Sequence, residues 1–133
     1  MFDLHAIQTA LREFHLDGWL LYDFRGLNVL ATRVLGIAPE AIGSRRFFYG
    51  IPAQGQPQKL VHRIEAGALD HLPGDKTVYL RWQELEAGVG QLVQGLRTVA
   101  MEYVPRNANP YVSRVDAGTV ELVRSFGVDI VPS

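Results

Sequence analysis

The sequence predicts an α/β fold: a mixed sheet of about six strands with helices on both faces. Three observations carry that expectation. Apolar runs of strand length recur along the chain as WLLY, RRFFYGI, KLVHRI, KTVYLR, TVAMEY and VDIV. Between several of them lie stretches whose apolar residues return at helical spacing. Two runs are close enough to form a hairpin, whereas the later ones need crossovers of the βαβ kind.

Taken in order, Asp3 is placed to cap a first helix whose apolar face is Leu4, Ile7, Leu11 and Phe14. His15 or Leu16 should end it, because Asp17-Gly18 is a turn dipeptide. Trp19 to Tyr22 is an unbroken apolar run, the pattern of a strand covered on both faces. Asp23-Phe24-Arg25-Gly26-Leu27-Asn28 then forms a polar, glycine-containing loop at that strand's C-terminal end, where ligand crevices form in open α/β sheets. Val29 to Leu35 reads as a short helix, and Gly36 to Gly43, with Pro39, as a surface loop. Arg45–Ile51 and Lys59–Ile64 make the hairpin around Pro52 to Pro57.

Glu65 to Leu72 is expected as a short helix closed by Pro73-Gly74, followed by a strand over Lys76 to Arg81. Trp82, Leu85, Val89, Leu92 and Leu96 define an amphipathic helix over Trp82–Gly95, despite Gly88 and Gly90. Thr98 to Tyr103 is a strand, and Pro105 to Pro110 is irregular. Ser113 with Asp116 three residues on forms a capping box before Val115, Val120, Val123 and Phe126. Gly127 stops that helix, and Val128 to Val131 is the last strand.

The totals fit one domain. The 133 residues are 47% hydrophobic and 20% charged, which is globular rather than disordered composition. A net charge of −1 offers no field for phosphate backbones or anionic lipid, so neither nucleic acid nor membrane is an expected partner. With no cysteine there are no disulfides or zinc-thiolate sites, in keeping with a cytoplasmic setting. No apolar run approaches the ~20 residues a membrane helix needs.

Familiar catalytic devices are missing. The sequence has no GxxxxGK[ST] loop, no GxGxxG turn, no GxSxG elbow and no HExxH pair. His71 with Asp70 and Asp75 could be drawn as a metal site, but a solvated helix end is the simpler reading. Glu84 and Glu86 diverge on their helix, which argues against a paired acid and base. Trp19 and Trp82 read as core and helix-edge packing.

The polar loops carry more chemistry. Asp23, Arg25 and Asn28 follow a buried strand, and Ser44, Arg45 and Arg46 open the next. Adjacent arginines entering a strand point to opposite faces, so one pairs within the domain while the other projects outward and suits bidentate capture of a carboxylate. The alternative is that both are surface charges whose pairs are worth ~0–1 kcal/mol.

The whole chain resembles the N-terminal domain of the creatinase/prolidase/aminopeptidase P family of pita-bread metallopeptidases. The residues that carry the likeness are Asp17 to Asn28 (DGWLLYDFRGLN), Ser44 to Phe48 (SRRFF), His62 to Glu65 (HRIE), Leu69 to Gly74 (LDHLPG) and Trp82 to Leu85 (WQEL). Met101-Glu102-Tyr103 and Pro110 to Thr119 (PYVSRVDAGT) are the most characteristic. The resemblance implies an RNase H-like mixed sheet with helices on both faces over residues 1–133, and a C-terminal catalytic domain after Ser133. There, two aspartates, a histidine and two glutamates would hold a dinuclear divalent metal such as manganese, and none of those ligands maps onto this chain.

It further implies an Xaa-Pro peptidase that acts on proline-containing peptides as a homodimer, each N-terminal domain overhanging the neighbouring subunit's active site. An arginine in the region of Arg45 would contact the substrate carboxylate, with Arg46, Asp23, Arg25 and Asn28 as neighbours by position. Asn28 is followed by Val29 where many relatives have proline, so the loop lacks that ring's rigidity. The rival expectation is a stand-alone regulatory module that binds a small molecule or a protein.

Overall fold

The computed structural model describes residues 1–133. Helix α1 spans Leu4–Glu13, with the Ala6 N–H donating to Asp3 Oδ1 at 3.0 Å, so Asp3 caps it as expected. Strand β1 covers Gly18–Asp23, helix α2 Val29–Val34, and the hairpin β2 (Phe47–Pro52) and β3 (Gln58–His62) follows. The remaining elements are β4 (Asp75–Tyr79), α3 (Trp82–Leu92), β5 (Thr98–Met101), α4 (Ala117–Arg124) and β6 (Asp129–Pro132). The strands form one sheet in the order β4-β3-β2-β1-β5-β6.

Its register makes it mixed in a particular way. β2 is antiparallel to both neighbours, β1 and β3, while β1/β5, β3/β4 and β5/β6 are parallel. Five strands therefore run together and β2 alone runs against them. The C-terminal ends of the five and the start of β2 share one edge, where Asp23 pairs with Phe47 and His62 with Tyr79.

Strand side chains alternate between two cores. Leu20, Tyr22, Phe48 and Leu60 pack under α3 and α4 with Leu85, Val89, Val120 and Val123. Leu21, Tyr49, Ile51 and Val61 face the other way, against Leu11 of α1, Leu35 beside α2 and Leu69 and Leu72 of the 63–74 segment. Helices thus cover both faces.

Several expected boundaries move, each for a hydrogen-bonding reason. β2 begins at Phe47 rather than Arg45 because the Ser44 and Arg45 amides donate to the Glu65 carboxylate. β3 stops at His62, whose Nδ1 accepts from the Ile64 N–H at 3.0 Å and turns the chain. The helix expected over 65–72 is instead a 3₁₀ turn at Arg63–Glu65 and further turns with i to i+3 bonds. There the Ala66 carbonyl accepts from Lys76 Nζ instead of continuing a helix.

β4 ends at Tyr79, since the Leu80 and Arg81 amides both donate to Glu84 Oε1. β5 ends at Met101, whose carbonyl accepts from the Tyr103 N–H in a tight turn. α4 is capped by Asp116 and not by Ser113. The Asp116 carboxylate accepts from both N–H and Oγ1 of Thr119, while Ser113 Oγ accepts from the Val104 N–H across the 103–113 loop. Gly127 takes φ 88° and stops α4 as anticipated.

Candidate functional site: the C-terminal edge of the sheet

The shared edge collects the loop after β1, the entry to β2, the turn after β3, the entry to α3 and the residue following β5. In open α/β sheets such an edge is where loops free of the ladder can build a site.

The loop 23–28 is fixed by its own side chains. The Asp23 carboxylate, 3% exposed, accepts from the Gly26 N–H through Oδ2 and the Asn28 N–H through Oδ1, both at 2.8 Å. This holds Arg25 and Gly26 in left-handed conformations at φ 58° and 78°. Arg25 therefore sits exposed at the turn's tip. Asn28 is buried and caps α2 by accepting from the Ala31 N–H at 3.2 Å. Its amide nitrogen donates to the Tyr22 carbonyl at 2.8 Å and to Glu102 Oε1 at 2.7 Å. Side-chain hydrogen bonding supplies the order that a proline after Asn28 would have given.

Glu102, quoted above within the Met101-Glu102-Tyr103 motif, was not singled out as a site residue. It lies directly beyond β5, is 1% exposed, and accepts from the Trp19 indole N–H through Oε2 at 2.8 Å as well as from Asn28. Burial raises its pKa above the ordinary carboxylate value, and hydrogen bonds from Trp19, Asn28 and Ser133 pull the other way. Its carbonyl accepts from the Arg114 and Val115 amides, tying the 103–115 loop to the sheet. The pairing of Trp19 with Ala100 puts Glu102, two residues on, on the same face as the indole.

Arg45 and Arg46 diverge across the sheet. The Arg46 carbonyl accepts from the Tyr79 hydroxyl at 2.6 Å, and its charge acts on the Tyr22 and Tyr79 phenols under α3 and α4. Burial raises both phenol pKa values, with the arginine opposing. Arg45 lies on the opposite face, beside a small cleft with Asp23, Ile37, Ile42, Gly43 and Glu65. The Glu65 carboxylate accepts from the Ser44 N–H at 2.8 Å and the Arg45 N–H at 3.1 Å. Gly43 leaves room for that carboxylate, since a Cβ there would push the Glu65 side chain aside. The Arg45 guanidinium is exposed, and its only hydrogen bond is to Ser44 Oγ at 3.2 Å. Its backbone is pinned and its charge is unpaired.

The same pattern recurs around the edge. Glu84 accepts from the Arg81 and Leu80 amides, and these bonds, Arg81's first, lower its pKa. Asp23, Glu65, Glu84 and Asp116 are all engaged by backbone amides, and the one salt bridge in the structure, Lys76 to Asp70 at 2.8 Å, lies elsewhere. Arg25, Arg45, Arg63 and Arg81 are left exposed with no carboxylate partner.

No group of three histidine, aspartate or glutamate side chains lies close enough to hold a metal ion, so these residues do not fit a dinuclear centre. His71, drawn above with Asp70 and Asp75, places Nε2 2.7 Å from the Leu35 carbonyl and so carries its proton there. Trp82 is 63% exposed and packs less than expected. No helix is long and apolar enough to cross a membrane.

Comparison with family models found no match, and comparison with curated proteins found none either. Solved structures do match. A proline dipeptidase from Streptococcus pneumoniae superposes with a TM-score of 0.65 at 18% identity, covering 99% of this chain and 91% of that one. The creatinase/prolidase N-terminal domain of an X-Pro dipeptidase from Streptococcus pyogenes gives 0.70 at 11% identity, covering 98% of each chain. A dipeptidase from Pyrococcus horikoshii gives 0.69 at 15% identity over 97% of this chain but 33% of its own. The chain has the fold of a creatinase/prolidase N-terminal domain, and it spans about a third of the Pyrococcus enzyme.

Proposed function

We propose that this chain is the non-catalytic N-terminal domain of an Xaa-Pro peptidase-like metallohydrolase. Its partner is a C-terminal catalytic domain carrying a dinuclear divalent metal. In the homodimer, the C-terminal edge of its sheet overhangs the neighbouring subunit's active site. The observation that carries this reading is Arg45: an exposed guanidinium without a carboxylate, on a backbone fixed by Glu65, in a fold seen as the N-terminal domain of dipeptidases.

The proposed mechanism gives each residue of the edge a role short of bond breaking. Arg45 offers two parallel N–H donors to the carboxylate of a proline-containing peptide, orienting the substrate without taking or giving a proton. Glu65 fixes the backbone from which it projects. Asp23 and Asn28 hold the 23–28 loop that walls the same cleft, and Glu102 anchors that loop to β5. Arg25 stands at the tip of that loop, while Arg46 lies on the opposite face of the sheet, away from the cleft. A divalent metal held by the catalytic domain would supply the activated water there, and the residues of this edge would serve only to bind and orient the substrate.

Arg45→Ala in the protein joined to its catalytic domain is expected to lower kcat/KM by about 10–100-fold, the loss of one charge-assisted contact. Arg45→Lys should recover part of it, and the oligomeric state should not change. Unaltered kinetics with an intact dimer would reduce the domain to an assembly role.

A further inference from the structure

The chain leaves neighbouring parallel strands toward opposite faces of the sheet at two places. After β1 it enters α2 on one face, and after β5 it reaches α4 on the other; the 23–28 loop and Glu102 occupy that gap. The same parting occurs at β3 and β4, whose parallel ladder ends with His62 beside Tyr79. After β3 the chain enters the 63–74 segment, whose Leu69 and Leu72 pack with Leu21 and Val61. After β4 it enters α3, whose Leu85 and Val89 pack on the other face with Leu20 and Leu60. Connections that diverge in this way open a crevice outside the carboxyl ends of the strands, and in open α/β sheets ligands bind there.

The β3/β4 crevice is a cleft of about 520 Å³ whose polar lining is Arg63, Tyr79, Arg81, Gln83 and Glu84. Arg63 is the first residue beyond β3 and Arg81 the second beyond β4, so each strand supplies one guanidinium. Both backbones are held. His62 Nδ1 accepts from the Ile64 N–H at 3.0 Å across Arg63, and the Arg81 N–H donates to Glu84 Oε1 at 2.8 Å. Both arginines are exposed, and neither forms an ion pair. Glu84, the one acid in the cleft, spends Oε1 on the Leu80 and Arg81 amides, and the two arginines act on its charge only through space. Two positive charges against one negative leave the cleft cationic. Beyond Tyr79, the charges of Arg46 and Glu65 oppose each other.

The donor set selects the ligand. A guanidinium presents two parallel N–H groups, so one arginine alone satisfies a carboxylate. Two arginines from separate strands, with the Gln83 amide beside them, offer more donors than a carboxylate has oxygens. A phosphomonoester brings three terminal oxygens and close to two negative charges, which matches both the donors and the pair of cations. Its second charge meets the second arginine, whereas a monoanion leaves one guanidinium facing only Glu84.

We propose that the crevice between the ends of β3 and β4 binds the phosphate group of a small phosphomonoester, gripped by Arg63 and Arg81. Arg45 and its cleft lie at the entry to β2, so this site stands whether or not the proposed function does.

NMR of the arginine Nε–H groups in the purified chain tests it. Phenyl phosphate and inorganic phosphate are titrated through the millimolar range at about pH 8, where both are dianions, with ionic strength held constant. Saturable shifts centred on Arg63 and Arg81 are expected from phenyl phosphate, with acetate weaker by about tenfold or more. R63Q and R81Q should each weaken phenyl phosphate by about tenfold while leaving the backbone amide spectrum folded. E84Q keeps an oxygen for the two amides but removes the like charge, and should tighten binding by about threefold. Shifts spread evenly over the exposed arginines, or centred on Arg45, overturn the inference. So do acetate binding as tightly as phenyl phosphate, saturation by inorganic phosphate alone, and binding indifferent to both R63Q and R81Q.

Discussion

Carboxylates in this chain hold backbone more than they hold cations. Asp17 accepts from the Arg97 and Thr98 amides, and Asp23, Glu65, Glu84 and Asp116 do the same for the loops beside them. Two glutamates then respond to pH with opposite signs. Glu84 has a lowered folded pKa, so its contribution to stability is present above the ordinary 4.5 and is lost as pH falls through the lowered value. Glu102 has a raised folded pKa, so its contribution is full below 4.5 and is lost as pH rises through the raised value. Urea unfolding between about pH 3 and pH 8 should therefore show E84Q flattening the acid limb and E102Q flattening the decline above it. E102Q should also cost about 1–3 kcal/mol, because its amide turns a donor toward Trp19 or Asn28. An unchanged slope above 4.5 in E102Q would remove Glu102 from this role. Glu102 was legible only as part of a resemblance, since one acidic residue after a strand carries no mark of burial. Arg45 and Arg46 were legible as divergent side chains, but the carboxylate that fixes Arg45 comes from a distant turn.

Elements were easier to see than their ends. The helices α1, α3 and α4 announce themselves by apolar spacing, and the hairpin by its proline-bounded loop. What sequence spacing hides is why α3 tolerates Gly88 and Gly90. A Cβ on Gly88 would come within 2.5 Å of Leu60 in β3, and one on Gly90 within 2.8 Å of Phe126 after α4. The glycines let α3 lie close to the sheet and to its neighbour. Gly88→Ala should destabilise the fold by about 1–3 kcal/mol through overpacking, outweighing the ~1 kcal/mol that alanine gains in a helix. A rise in the thermal midpoint would show that α3 has room to move. Boundaries shifted where a side chain captured a backbone amide, from twenty-one residues away for Glu65 at β2 and from within the next helix for Glu84 at β4. Helical residues expected over 65–72 became turns because Lys76, ten residues away, takes a carbonyl. Such captures join positions that no local pattern connects.

At the scale of the molecule, five strands sharing a direction bring every loop of interest to one edge, and reversal of β2 alone brings Arg45 to it. The order of strands was not readable from the runs themselves, although a hairpin followed by crossovers limited the choices. That edge holds, orients and covers, and the bond-breaking chemistry is proposed to reside in another domain. The most direct measurement is paired metal content and Xaa-Pro dipeptide hydrolysis on the purified chain, supplied with divalent manganese and then desalted. The account predicts a metal content far below one ion per chain and no turnover above buffer. Retention of stoichiometric metal together with hydrolysis would contradict it.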